Sequence, residues 1–183
     1  MEQSAVTTEM VRQLNGPTEH FLCKLSDNWA GFRFRGFKIR DMISNITLVE
    51  VPDDMVENED LSDNDDPSKR QIRYHLGPDF LNLRTVGLTL YFSIGKQPIK
   101  NMEMIERHYF RGKCIREFSF KFGFVIPNST NSWEFMYDLP ELSEELHAEI
   151  TQAPWEVKSD SFFFAEDQLM IHNRAAYNYS NLE

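Results

Sequence analysis

Few residues in this chain could do chemistry, and they are scattered. Histidines stand at positions 20, 75, 108, 147 and 172, and the two cysteines, Cys23 and Cys114, are far apart. Only Glu106-x-His108 sets two ionisable groups in phase with apolar residues, because Met104 and Phe110 share their face of an extended segment. A carboxylate beside an imidazole could be a general acid/base couple. It could equally be a hydrogen-bonded core pair, or the polar cap of an apolar ligand cavity. No Gly-rich phosphate loop, G-x-S-x-G, H-E-x-x-H or Cys-x-x-Cys occurs, so neither a nucleophile nor a metal or cofactor motif joins the pair. The residues alone leave all three readings open.

A strand must carry the pair. Met104 to Ile126, MIERHYFRGKCIREFSFKFGFVI, predicts a hairpin turning at Arg111–Gly112–Lys113. In its second strand Phe118, Phe120, Phe122 and Phe124 alternate with Ser119, Lys121 and Gly123, forming an aromatic wall. Upstream, Phe32 and Phe34 alternate with Arg33 and Arg35. Phe37 and Ile39 then take the opposite parity, which predicts a bulge near Gly36. Ile46–Val51 completes a hairpin, and Ile72, Tyr74 and Leu76 predict a strand that ends at Gly77-Pro78. Phe80, Leu81 and Leu83 suit a single helical turn. Val86, Leu88, Leu90 and Phe92 share one strand face, as do Trp133, Phe135 and Tyr137. One helix begins after Pro140, capped at Ser143, with Leu142, Leu146 and Ile150 spaced by four, and Pro154 stops it. Ser159–Ala165 and Gln168–His172 follow as strands joined by Glu166-Asp167, and Arg174–Ser180 is expected at a sheet edge.

Eight or nine short strands, one short helix and no βαβ alternation predict an all-β antiparallel sandwich or barrel. Phe34, Ile72, Tyr74, Leu88, Leu90, Phe118, Phe120, Tyr137 and Phe163 all fall on inward faces. With 15 Phe in 183 residues, such rings could fill a thick core or line a void between sheets. The length suits one domain, residues 20–183, preceded by a flexible arm, residues 1–19. Val6, Met10, Val11 and Leu14 give that arm a helical face, with Thr8 as the expected cap. Residues 52–70 are expected to be an acidic surface loop. A net charge of −10 argues against a nucleic-acid surface. Without 18 consecutive apolar residues or a disulfide framework, the expectation is a cytosolic chain with reduced thiols and no membrane insertion.

Several longer motifs are more specific. FKIRDM (Phe37–Met42), ERHYFR (Glu106–Arg111), FGFVIPNSTNSWE (Phe122–Glu134), LSEEL (Leu142–Leu146), SDSFFF (Ser159–Phe164) and MIHN (Met170–Asn173) occur in order. Together they closely resemble the uncoordinated-type myristoyl-binding carriers. Those are relatives of the prenyl-binding delta subunit of rod cGMP phosphodiesterase and, more distantly, of the Rho GDP-dissociation inhibitors. The resemblance runs from about Phe21 to Ser180. It implies an immunoglobulin-like sandwich with a hydrophobic lipid tunnel between its sheets, and a monomeric carrier rather than an enzyme. Such a carrier takes N-myristoylated proteins, G-protein α subunits and ciliary cargo among them, from membranes. It releases them when a GTP-bound Arf-like small GTPase binds. A cytoplasmic, ciliary or centrosomal location follows from the same likeness. Because the delta-subunit branch prefers prenyl groups, a carrier of farnesylated or geranylgeranylated proteins is the alternative.

By the same resemblance Phe34, Ile72, Phe80, Phe118, Tyr137 and Phe163 would line the tunnel, with Tyr177 also at a pocket position. Glu106, His108 and Tyr74 would meet the first residues of the cargo peptide. Phe163 stands where the family pattern has Tyr, and Leu139 where it has Phe. These changes bear on how deep a chain sits and which peptide follows it.

Overall fold

A computed structural model describes residues 5–53 and 67–181. Residues 54–66, most of the expected acidic loop, lie outside the described residues, as do 1–4 at the start of the expected arm. Nine strands run in chain order: β1 Arg33–Asp41, β2 Thr47–Val51, β3 Gln71–His75, β4 Thr85–Ser93, β5 Ile99–Phe110, β6 Lys113–Val125, β7 Thr130–Asp138, β8 Val157–Ala165 and β9 Gln168–Asn178. They form a four-stranded sheet ordered β2-β1-β4-β7 and a five-stranded sheet ordered β3-β9-β8-β5-β6. One core cluster joins the two, drawing Ile39, Leu90 and Phe135 from the first and Met104, Phe163 and Ile171 from the second. The molecule is a β-sandwich with a buried aromatic core.

The turn chemistry works as the sequence predicts. Arg111 and Gly112 both take positive φ, 48° and 78°, so a two-residue primed turn joins β5 to β6. Glu166 and Asp167 do the same between β8 and β9. The bulge falls between Phe34 and Gly36, where Gly36 has φ 142° and a Cβ would lie 2.6 Å from Val51 O.

Three features differ from the sequence reading. The tail is not an edge strand: β9 continues unbroken to Asn178 and lies between β8 and β3. Its small Ala175 and Ala176 hide the alternation that would have shown this. The pairing of β3 with β9 is parallel, so the five-stranded sheet is mixed. The helix expected in the N-terminal arm forms as α1 (Thr8–Arg12), beside α2 (Glu144–Thr151), but its cap differs. The α1 cap is Thr7, whose side chain accepts from Met10 N–H, whereas Thr8 donates its N–H and hydroxyl to Asp167.

Both faces of the five-stranded sheet are covered. Ile105, Phe162, Phe164 and Leu169 point away from the other sheet and pack on Val11, with Val6, Leu14 and Leu22 around it. Arg107 on that face donates to Val11 O and Leu14 O at 3.0 and 2.7 Å. Further along, fully buried His172 accepts the Leu22 N–H at Nδ1 (3.0 Å) and donates from Nε2 to Asp160 (2.9 Å). Asp160 also accepts from the Thr18 backbone and hydroxyl. This geometry requires a neutral ring, since a proton on Nδ1 would remove the acceptor. Burial alone would raise the Asp160 carboxyl, but bonds from His172 and Thr18 outweigh it and hold the pKa low.

The space between the sheets is filled on one side only. Phe120 packs on Phe135 and Tyr137 with ring centroids 4.8 and 5.2 Å apart, and Phe122 packs on Trp133 at 5.3 Å. Phe124, expected in the same wall, is 57% exposed. Gly123 at φ 87° and the irregular register around Met102 break the alternation there.

Two outcomes follow for stability. Phe120→Ala should cost about 3–5 kcal/mol in urea unfolding, whereas Ile72→Ala, on an exposed rim, should cost under about 1 kcal/mol. Burial holds the His172 pKa below its ordinary value of 6.5. The unfolded chain therefore binds a proton there first, and stability falls as pH drops from about 6.5 toward the folded value. In His172→Gln that part of the pH–stability slope should flatten; an unchanged slope would refute the neutral-histidine account.

Candidate functional site

Beside the filled half, the sheets enclose a cavity of about 770 Å³. That is within the ~300–1,000 Å³ usual for small-ligand sites. Strands β1, β2 and β4 line one side and β3, β8 and β9 the other, where neither edge strand β2 nor β3 bonds across to the opposite sheet. One end is closed by rings: Phe32, Phe34 and Phe163 lie 5.1–5.7 Å apart, centroid to centroid. Leu88, Leu90, Met104 and Ile171 line the apolar body.

The other end is polar and is organised by Glu106. Its Oε1 lies 2.5 Å from His108 Nε2. Its Oε2 accepts from Ser161 Oγ on neighbouring β8 and from Tyr137 OH on the opposite sheet, both at 3.3 Å. One carboxylate thus ties the two sheets together across the cavity. Strand geometry makes this possible. Glu106 and His108 are two residues apart on β5, Ser161 is the direct cross-strand partner of Glu106, and Tyr137 reaches over from β7. His108 stacks on Tyr177 at 5.4 Å and meets Phe118 edge-on at 5.8 Å. Tyr177 stacks in turn on Tyr74 at 5.5 Å and bonds Ser159 through its hydroxyl at 2.9 Å.

Burial, reinforced by the Glu106 charge, pushes the phenols of Tyr74, Tyr137 and Tyr177 well above their ordinary pKa. All three stay protonated at neutral pH, so they donate and stack but do not act as bases. The serines near His108 are engaged elsewhere: Ser161 bonds Glu106, and Ser159 bonds Tyr177. Neither is activated by the imidazole, as nucleophilic catalysis would require. No group of His, Cys, Asp and Glu suited to a metal occurs among the described residues.

Of the residues singled out from sequence, Phe34, Ile72, Phe80, Leu88, Leu90, Phe118, Tyr137, Phe163 and Tyr177 line the cavity, as do Tyr74, Glu106 and His108. Phe120 does not; it belongs to the filled half behind Phe118 and Tyr137. Sequence reasoning did not single out Phe37, Val49, Met104, Phe135, Ser159, Ser161, Arg116 and Tyr179 as lining residues. Met104 was in phase with Glu106 and could have been found. The two serines carry no periodic signal and are placed only by the pairing of β8 with β5.

Residues 26–179 match the protein family described as GMP-PDE, delta subunit. Relatives are similar over nearly the whole chain. It is 44% identical over 176 residues to Protein unc-119 homolog B-A of Xenopus laevis, covering 94% of this chain and 73% of that protein. It is 41% identical over 181 residues to Protein unc-119 homolog B of Homo sapiens, covering 96% and 72%. To Protein unc-119 of Caenorhabditis elegans it is 39% identical over 179 residues, covering 98% and 82%. No helix among the described residues is long and apolar enough to cross a membrane. With a hollow sandwich already evident, these matches settle the family: the chain belongs to the unc-119 branch of the GMP-PDE delta-subunit proteins, non-enzymatic lipid-binding carriers.

Proposed function

We propose that this chain carries proteins acylated at an N-terminal glycine, myristoylated cargo above all, with the acyl chain in the cavity and the cargo peptide at the Glu106 end. The observation that carries this reading is a largely apolar cavity between the sheets, open to the surface, with a carboxylate at one end that already gathers three partners. An acyl chain gains about 0.8 kcal/mol per buried methylene, and one myristoyl group holds a protein on a membrane only marginally. A tunnel of similar apolarity plus a few peptide contacts is therefore enough to win the exchange. Inside it the amide that joins acyl chain to glycine loses water. Glu106 can accept that N–H, and a charge-assisted bond is stronger than a neutral one. Tyr74, His108 and Tyr177 form the walls beside it. Release by a GTP-bound Arf-like small GTPase binding outside the cavity belongs to the same reading, and the family supports it.

A labelled myristoylated N-terminal peptide should bind tightly and its unacylated twin at least about a hundredfold more weakly. Equal binding of both would end the carrier reading, and tighter binding of a farnesylated peptide would move the chain to prenylated cargo. Glu106→Gln should weaken the myristoylated peptide by about 1–3 kcal/mol while leaving the unfolding midpoint near that of the wild type.

A further inference from the structure

Glu106 is the only acid that lines the cavity among the described residues, yet a cation stands close by. Arg116 on β6 lies directly across from His108 on β5 and reaches into the same end. Its side chain makes no ion pair or hydrogen bond with any described residue, and its Nε is shut off from solvent. Of the other lining arginines, Arg174 bonds Thr18, Arg70 bonds Cys23 O and Arg73 lies over the Trp155 ring, while Arg33 opens β1 beside Phe34 of the ring-closed end. Burial also pulls the Arg116 guanidinium below its ordinary pKa, a cost that a partner anion would remove. Arg116 is only partly buried and has the Tyr179 phenol nearby, so an arriving anion would add a charge-assisted bond to a guanidinium that has no ion pair among the described residues.

We propose that Arg116 receives a carboxylate from the cargo peptide and makes this chain prefer acidic residues just beyond the acylated glycine. This rests on the carrier reading above. Glu106 and His108 are about 6.5–7 Å apart along one strand face, and Arg116 is one strand spacing of roughly 5 Å beyond His108. An extended peptide covers about 3.3–3.6 Å per residue. With its amide at Glu106, the second or third residue after the glycine therefore comes level with the guanidinium. A carboxylate there can take two parallel N–H bonds from the planar fork, a geometry that lysine cannot offer. Smaller neutral residues fit the same place but leave the cation unpaired.

The test uses labelled myristoylated peptides that differ only at those two positions, carrying Asp, Ser or Lys, with fluorescence anisotropy as readout. Wild-type protein should bind the Asp peptide roughly tenfold more tightly than the Lys peptide, and added salt should narrow the gap. Arg116→Gln should keep the wild-type urea-unfolding midpoint, which shows that it is folded, and should lose the preference for Asp over Lys. Arg116→Glu should reverse it. A wild-type protein indifferent to charge, or an Arg116→Gln protein that keeps the preference, overturns the inference while the carrier reading stands. Failure of every acylated peptide to bind overturns the carrier reading itself.

Discussion

Two sheets stacked face to face ordinarily fill the ~10 Å between them with interdigitating side chains at crystal-like density. In this protein only the half under β6 and β7 is filled so. Phe120, Phe122, Trp133 and Phe135 take up the space with rings in edge and tilted contact. On the other side the cavity lies between β1 and β2 of one sheet and β3 and β9 of the other, crossed by the edge-on contact of Phe37 with Tyr74 at 6.1 Å. An apolar void of this size is expensive unless it is used, because the atoms around it forgo dispersion contacts. The filled half supplies the rigidity that lets the hollow half stay open.

A buried carboxylate sets the polar boundary of that void. Glu106 is only 13% exposed in its side chain, so it must be hydrogen-bonded wherever it stands. It finds donors on its own strand, on the neighbouring strand and on the opposite sheet. The acid and histidine that first suggest catalysis are thus explained by satisfaction and placement. His108 is spent on Glu106 and on ring stacking, and Ser159, its cross-strand neighbour, bonds Tyr177 instead.

The outer face of the five-stranded sheet adds a second constraint. Residues of β5 and β8 are buried on both sides, which is why Phe162, Phe163 and Phe164 can all be apolar. Phe163 looks into the cavity, and its two neighbours look under the N-terminal segment. Arg107, beside Glu106 in sequence, anchors that segment through Val11 O and Leu14 O. His172 and Asp160 anchor it again at Leu22 and Thr18. The strands that carry the site are therefore clamped from behind.

Much of this was legible in the chain itself. Period-2 alternation gave the strands, Gly36 the bulge, Arg111-Gly112 and Glu166-Asp167 the primed turns, and the in-phase spacing of Glu106 and His108 the polar pair. Linear motifs gave the family, since local order survives in sequence. Periodicity could say that a ring faces inward but not whether it meets another ring or empty space. That is why Phe118 and Phe120, two residues apart on one strand, divide between cavity wall and solid core. It also could not give the parallel partner of β9, the Ser161 and Tyr137 donors to Glu106, or an Arg116 without an ion pair among the described residues. Each of these is a contact between residues distant in sequence. The chain determined which faces were apolar, and only the stacking of the two sheets decided which of those faces would touch.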